Sequence, residues 1–364
     1  MTVRLAPLPE AGCRANECRS MRLAFICVGV LATGCAARGV PEQQPVAAPV
    51  STASTVQGRA PIVFEGMCDA SGAVALGGEK FVVGDDEDNI LRVYDAKRGG
   101  VPVQSVDLSP DLELPIKKKA PETDIEAATQ LESLSFWLTS HGRNSSGKKQ
   151  PSRLRFFATQ ETDAGPKLVG RAYTHLLDDL LADPRLARFS LAQAEALPPK
   201  APGGLNIEGM TAMADGHSLI IGFRSPVPEG KALVVPILNP KEMVRDGERA
   251  RLGEPKLLDL GGLGIRSLSW WRGRYLIISG GTASEATSRL FTWRGGDDAP
   301  VEVRDVDLTG LNPEAFFTPE TAEEILLLSD DGSLPLDGVE CKKLKDPSRK
   351  RFRGVWVRLP PEQT

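Results

Sequence analysis

Asn206-Ile-Glu-Gly-Met-Thr211 opens a unit whose pattern recurs along the chain. The apolar run Leu219-Ile-Ile221 follows it, and then the polar loop Gly222-Phe-Arg-Ser225. Four further segments align with it: Asp69-Ala-Ser-Gly-Ala-Val74, Asp124-Ile-Glu-Ala-Ala-Thr129, Gly264-Ile-Arg-Ser-Leu-Ser269 and Asn312-Pro-Glu-Ala-Phe-Phe317. Each begins with Asp, Asn or Gly and carries a polar residue in third place. The starts at 69, 124, 206, 264 and 312 leave intervals of 55, 82, 58 and 48 residues. Each segment leads through a turn to a short apolar run: Phe81-Val-Val83, Phe136-Trp-Leu138, Tyr275-Leu-Ile-Ile278 and Ile325-Leu-Leu-Leu328 in the other four. Unbroken apolar runs of this length suit strands buried on both faces.

Third strands follow at Ile90–Tyr94, Leu154–Phe157, Leu233–Val235 and Leu290–Trp293. A fourth ends in a recurring dipeptide, Asp107-Leu108, Asp259-Leu260 and Asp307-Leu308. Four strands repeated at roughly 50 residues predict an all-β fold, a β-propeller of about five four-stranded blades. The long second interval holds helical spacing over Tyr173–Ala182 and Leu186–Leu197, a small helical insertion around 173–197. A sixth blade hidden in that insertion stays open. The last unit offers only three strands, the last being Phe352–Leu359, and Pro61-Ile-Val-Phe64 is expected to supply the fourth. Such an exchange closes the ring and removes exposed sheet edges.

Ahead of the repeats the chain reads as address and tether. Met21-Arg22 precedes a 12-residue apolar run, Leu23–Gly34, and then Cys35. This is a positive start, an apolar stretch too short to span a bilayer, and small residues before a cysteine. Leu31-Ala-Thr-Gly-Cys35 resembles the bacterial lipobox, with Ala32 where that pattern more often has Leu. The expectation is a signal segment over 1–35, with Met21 as its true start, and lipidation at Cys35. The product would be an exported lipoprotein held to the membrane, facing the periplasm or the cell surface. Residues 36–60 are rich in Ala, Pro, Gln, Ser, Thr and Val, which suits a flexible tether. The propeller domain then runs from 61 to 364. Of the six cysteines only Cys68 and Cys341 fall within it. A disulfide between them and two separate buried thiols are both open readings.

A net charge of −4 with no concentrated basic face excludes a nucleic-acid partner. The runs Lys117–Lys119 and Arg349–Arg351 read as solvated loops. Strand direction alternates, so the start of a first strand and the end of a second share one face of the ring. That face would gather Asp69, Asp124, Glu126, Asn206, Glu208, Arg266, Asn312 and Glu314, with Asp85, Asp86, His141, Arg143, Arg224, Asp330 and Asp331 from the adjoining loops. Asp69, Asp85, Asp86, Glu126, Glu208, Glu314, Asp330 and Asp331 are candidate oxygen ligands for a hard cation such as calcium. His141, Arg143, Arg224 and Arg266 are candidates for holding an anionic group. The competing structural reading pairs these carboxylates with their own arginines and uses Asp and Asn as turn caps. No Gly-x-Ser-x-Gly elbow, phosphate-binding loop or His-Glu-x-x-His zinc motif is present.

Cys68–Ser71, Gly84–Asn89, Ser140–Asn144, Gly203–Gly209, Gly261–Ser267 and Leu311–Ala315 together resemble a bacterial family known only as a domain of unknown function, over nearly all of 61–359. That resemblance implies a propeller and brings no reaction. The short step Asn206–Gly209 is also similar to phytase-like secreted propellers, in which acidic residues hold calcium. The expected function is therefore a tethered ligand- or protein-binding module, with an envelope protein or a small anionic ligand as partner. The alternative is a calcium-dependent hydrolase of a phosphate ester, with Arg224 and Arg266 steadying developing charge.

Overall fold

A computed structural model describes residues 57–114, 119–281, 288–319 and 323–359. The signal segment with Cys35, most of the tether, and Lys117 and Lys118 lie outside the described residues. The chain forms five four-stranded antiparallel blades. Their innermost strands are Gly72–Gly77, Ile125–Leu131, Asn206–Ala212, Gly264–Trp271 and Pro313–Phe317, in blades I to V. These strands neighbour one another in sequence order and blade V returns to blade I, so the ring is closed. No helix among the described residues is long and apolar enough to cross a membrane.

The short apolar runs form the second strand of each blade, and strand alternation splits them between two buried faces. In blade I, Val82 faces the core shared with blade II, while Phe81 and Val83 face the core shared with blade V. In blade IV, Tyr275 and Ile277 pack toward blade III, and Leu276 and Ile278 toward blade V. Five such inter-blade cores surround the channel, the largest lying between blades II and III. The helices Leu176–Ala182 and Leu191–Glu195 add Leu176, Leu180 and Leu191 to that largest core, and hold no further blade. A third helix, Pro240–Asp246, joins the outer strands of blade III. Its sequence signal is Pro240 at the first helical position and Gly247 as the left-handed cap.

The ring closes through the N-terminal strand Ile62–Glu65, which pairs with Arg351–Arg358 as the outermost strand of blade V. Phe64 stacks on Phe352 at 4.9 Å, and the Tyr94 hydroxyl of blade I donates to the Glu65 carbonyl at 2.6 Å. The next residues carry a disulfide from Cys68 to Cys341, with an S–S distance of 1.99 Å across a separation of 273 residues.

Candidate functional site

The third position of the repeat coincides with an irregularity of the inner strand. In blades II to V the register slips at Glu126, Glu208, Arg266 and Glu314. A β-bulge leaves its extra residue outside the ladder and re-aims its side chain. Here the four bulged residues line one cavity at the mouth of the central channel. Asp124 precedes the bulge of blade II with φ of +62°, an uncommon conformation for a residue with a side chain. Blade IV has Gly264 at the head of its motif because a Cβ there would lie 1.9 Å from the Arg224 carbonyl oxygen.

The cavity has a volume of about 560 Å3 and also exposes Asp69, Asp86, Asn206, Arg224, Asn312 and Asp330. Its ion pairs divide it in two. On the side of blades III to V, Arg224 Nη1 donates to Glu208 Oε1 at 2.7 Å and its Nε to the Gly281 carbonyl at 3.2 Å. Arg266 pairs with Glu314 and donates to Asn312 Oδ1. Asn206 Nδ2 donates to Glu208 Oε1 at 2.6 Å. On this side each bulged carboxylate has its guanidinium.

The side of blades I and II is short of cations. Asp124 pairs with Arg153 at 2.8 Å, and Arg153 also binds Glu122 at 2.5 Å. Among the described residues Asp86 and Glu126 form no ion pair, and Asp86 Oδ1 is buried without a hydrogen-bond partner. One carboxylate oxygen each from Asp86, Asp124 and Glu126 lie within 4.8 Å of one another, and a second such group joins Asp86 to Asp69 and Asp85. Desolvation, then neighbouring negative charge, holds Asp86 and Glu126 well above the usual carboxylate range. Burial raises Asp124 to about 6 against the pull of Arg153, and raises Asp85 to about 7. Asp69 and Asp330 face each other across the join of blades I and V. Burial and the hydrogen bond to Asp330 push Asp69 up to about 11, whereas Asp330 is lowered despite its burial by that bond and by the Gly332 N–H at 2.8 Å.

The other expected residues lie elsewhere. His141 is 1 % exposed with Nδ1 against the Thr139 carbonyl at 2.7 Å, and burial lowers its pKa to about 4. Arg143 grips Glu195 of the helical insertion at 3.0 and 3.2 Å. Neither lines the cavity. Asp331 is held by Arg353 through two 2.7 Å bonds, and Asp85 accepts from the Glu87 N–H at 2.6 Å. Arg153, Lys200 and Lys342 line the cavity without having been singled out in the sequence. Arg153 follows a Pro151-Ser152 turn outside the repeated motif, and no feature of the repeat marks it.

A family model described as "Protein of unknown function (DUF3616)" matches residues 147–310, from the third strand of blade II through blade IV. This is narrower than the extent anticipated from the motifs. No curated protein matches the chain. Among solved structures the chain is similar to the PQQ-bound aldose sugar dehydrogenase of Streptomyces coelicolor, at 11 % identity over 82 % of this chain and 98 % of that one, with a TM-score of 0.38. It is similar to glutaminyl cyclase of Myxococcus xanthus at 10 % identity over 84 % and 98 %, with a TM-score of 0.43. The β-propeller domain of Cps50 (Swd1) from Myceliophteria thermophila shares 7 % identity over 80 % and 84 %, with a TM-score of 0.36. Likeness at this level carries no activity over to this chain.

Proposed function

We propose that this protein is a ligand-binding module of the cell envelope, tethered through Cys35, whose channel-mouth cavity takes a divalent cation, calcium first, at Asp86, Asp124 and Glu126. One observation carries the reading: Asp86 and Glu126 meet no cation of their own, while the equivalent carboxylates of blades III and V do. A charge left uncompensated at such a site costs free energy, and a divalent ion relieves it. The donor set fits. It is made of hard oxygens, and oxygens no more than 4.8 Å apart can share one ion bound at about 2.4 Å from each.

Hydrolysis of a phosphate ester gains less support, because Arg224 and Arg266 are already engaged by Glu208 and Glu314.

The test is thermal unfolding of the full chain in chelator and in calcium. Binding to the folded state at a hundredfold excess over the dissociation constant adds about 2.7 kcal/mol. The expected result is a calcium-dependent rise in Tm that Asp86→Asn with Glu126→Gln removes. A Tm indifferent to calcium overturns the cation reading.

A further inference from the structure

We propose that a second divalent cation binds at the seam where the ring closes, between Asp69, Asp85 and Asp86, and that Asp86 bridges it to the ion held by Asp124 and Glu126. This inference rests on the cation reading, with which it shares Asp86. Blade I departs from the repeat in where it places its acids. Ser71 stands at the third position, where the other blades carry Glu126, Glu208, Arg266 and Glu314. The carboxylates of blade I come instead from Asp69 at the head of the motif, and from Asp85 and Asp86 just after its second strand, Lys80–Gly84. One oxygen from each of these three lies within 4.8 Å of the other two, a span that one ion bound at about 2.4 Å from each can bridge.

The cluster lacks the partners that would explain it as an internal ion-pair network. Asp69 is 4 % exposed and its Oδ2 is buried with no hydrogen-bond partner, as are Asp86 Oδ1 and Ser71 Oγ. The arginine nearest the loop, Arg92, is taken by Asp88 at 2.6 Å. Asp330, which faces Asp69, accepts from neutral donors, Asn312 Nδ2 at 2.9 Å and Gly332 N–H at 2.8 Å. Five carboxylates make up the two trios, and among the described residues only Asp124 has a guanidinium. One divalent ion therefore leaves a formal excess of negative charge in buried surroundings, which a second ion relieves. Asp85 is buried and does not line the cavity, so this ion is set into the wall rather than presented to a ligand. Its work is to hold the seam. Asp69 follows Cys68, and Asp331 N–H of blade V donates to the Cys68 carbonyl at 2.9 Å, so an ion at Asp69 ties that junction to the Asp85-Asp86 loop of blade I.

Equilibrium dialysis of the full chain against calcium counts the ions. The wild type should hold two per chain, Asp69→Asn and Glu126→Gln one each, and Asp86→Asn should weaken both sites about tenfold or more. Asp85→Asn should repeat the Asp69→Asn result, and the ion kept by Asp124 and Glu126 shows that each variant is folded. Manganese supplies a second readout. Two ions sharing a carboxylate stand about 3.5–4 Å apart and couple magnetically. The paramagnetic resonance spectrum of wild type with two equivalents should be that of a coupled pair, and Asp69→Asn should return the spectrum of an isolated ion. One ion per chain, lost in Glu126→Gln and untouched by Asp69→Asn, overturns this inference and leaves the first cation site standing. Two ions whose number survives both Asp69→Asn and Asp85→Asn, or whose manganese spectrum is uncoupled, overturn it as well. Failure of any ion to bind the wild type overturns both readings.

Discussion

Glu126 and Glu208 hold the same place in the repeat, each at a bulge of its inner strand, and they differ in what stands opposite. Glu208 is 3 % exposed and paired with Arg224, whose side chain is 11 % exposed. Glu208→Gln strands that guanidinium, and removing one partner of a buried pair costs about 3–5 kcal/mol. Glu126→Gln removes a carboxylate that forms no ion pair among the described residues and on which the like charges of Glu208, Asp124 and Asp86 outweigh the pull of Arg224. In chelator its cost should stay within about 1 kcal/mol, or the substitution should stabilise, because a neutral amide escapes the desolvation penalty. Urea unfolding of the two variants decides the matter, and equal losses would mean that the two glutamates are equivalently partnered. The motif was legible in the sequence but this difference was not. Arg224 stands near the end of the blade's own second strand, Leu219–Ser225, and nothing in the repeat says that blade II lacks its counterpart. His141 and Arg143 misled for a related reason. They follow a second strand as site residues do, yet the helical insertion takes the Arg143 side chain and His141 is buried beside Thr139.

Elements are held in place by close approach between blades. Gly222 of blade III lies opposite Gly209, and a Cβ on Gly222 would stand 2.9 Å from both Cγ2 and Cδ1 of Ile265 in blade IV. Gly84 stands in the same relation to Ile125 Cγ2, again at 2.9 Å. The two glycines of blade III therefore admit the isoleucine of the next blade, directly beside its bulge. Ile265 is fully buried, so it has little room to yield. Gly222→Ala should cost about 1–3 kcal/mol by overpacking, read as a lowered urea midpoint with calcium affinity unchanged. An unchanged midpoint would show that blade spacing relaxes freely. Element existence was readable because apolar runs and turns carry it. The outermost strands were the weakest signal, and in blade IV that strand is only Val301–Glu302, well short of the Asp307-Leu308 marker. Bulges leave no spelling of their own. Only a polar residue repeated at one position within apolar surroundings hinted at them.

At the scale of the molecule, closure rests on two ties between chain ends. One is the ladder of Ile62–Glu65 on Arg351–Arg358 with Phe64 stacked on Phe352, and the other is the Cys68–Cys341 bond. The sequence located the closing strand because the last unit was one strand short. It left the cysteine pair open, since bond geometry is not written in spacing. The two ties do different work. The ladder covers the edge of blade V, which would otherwise template association with another chain. The disulfide removes freedom from the unfolded chain between residues 273 apart. Cys68→Ser with Cys341→Ser should therefore lower the unfolding free energy by about 3–5 kcal/mol while the mass seen in light scattering matches that of the wild type. Asp69 directly follows Cys68, bridges to Asp330 across the same join and groups with Asp85 and Asp86, so this variant should also lose part of its calcium-dependent gain in stability. Concentration-dependent association of the variant would instead mean that the ladder cannot keep the ring shut alone, and that the bond, rather than the strand, closes the propeller.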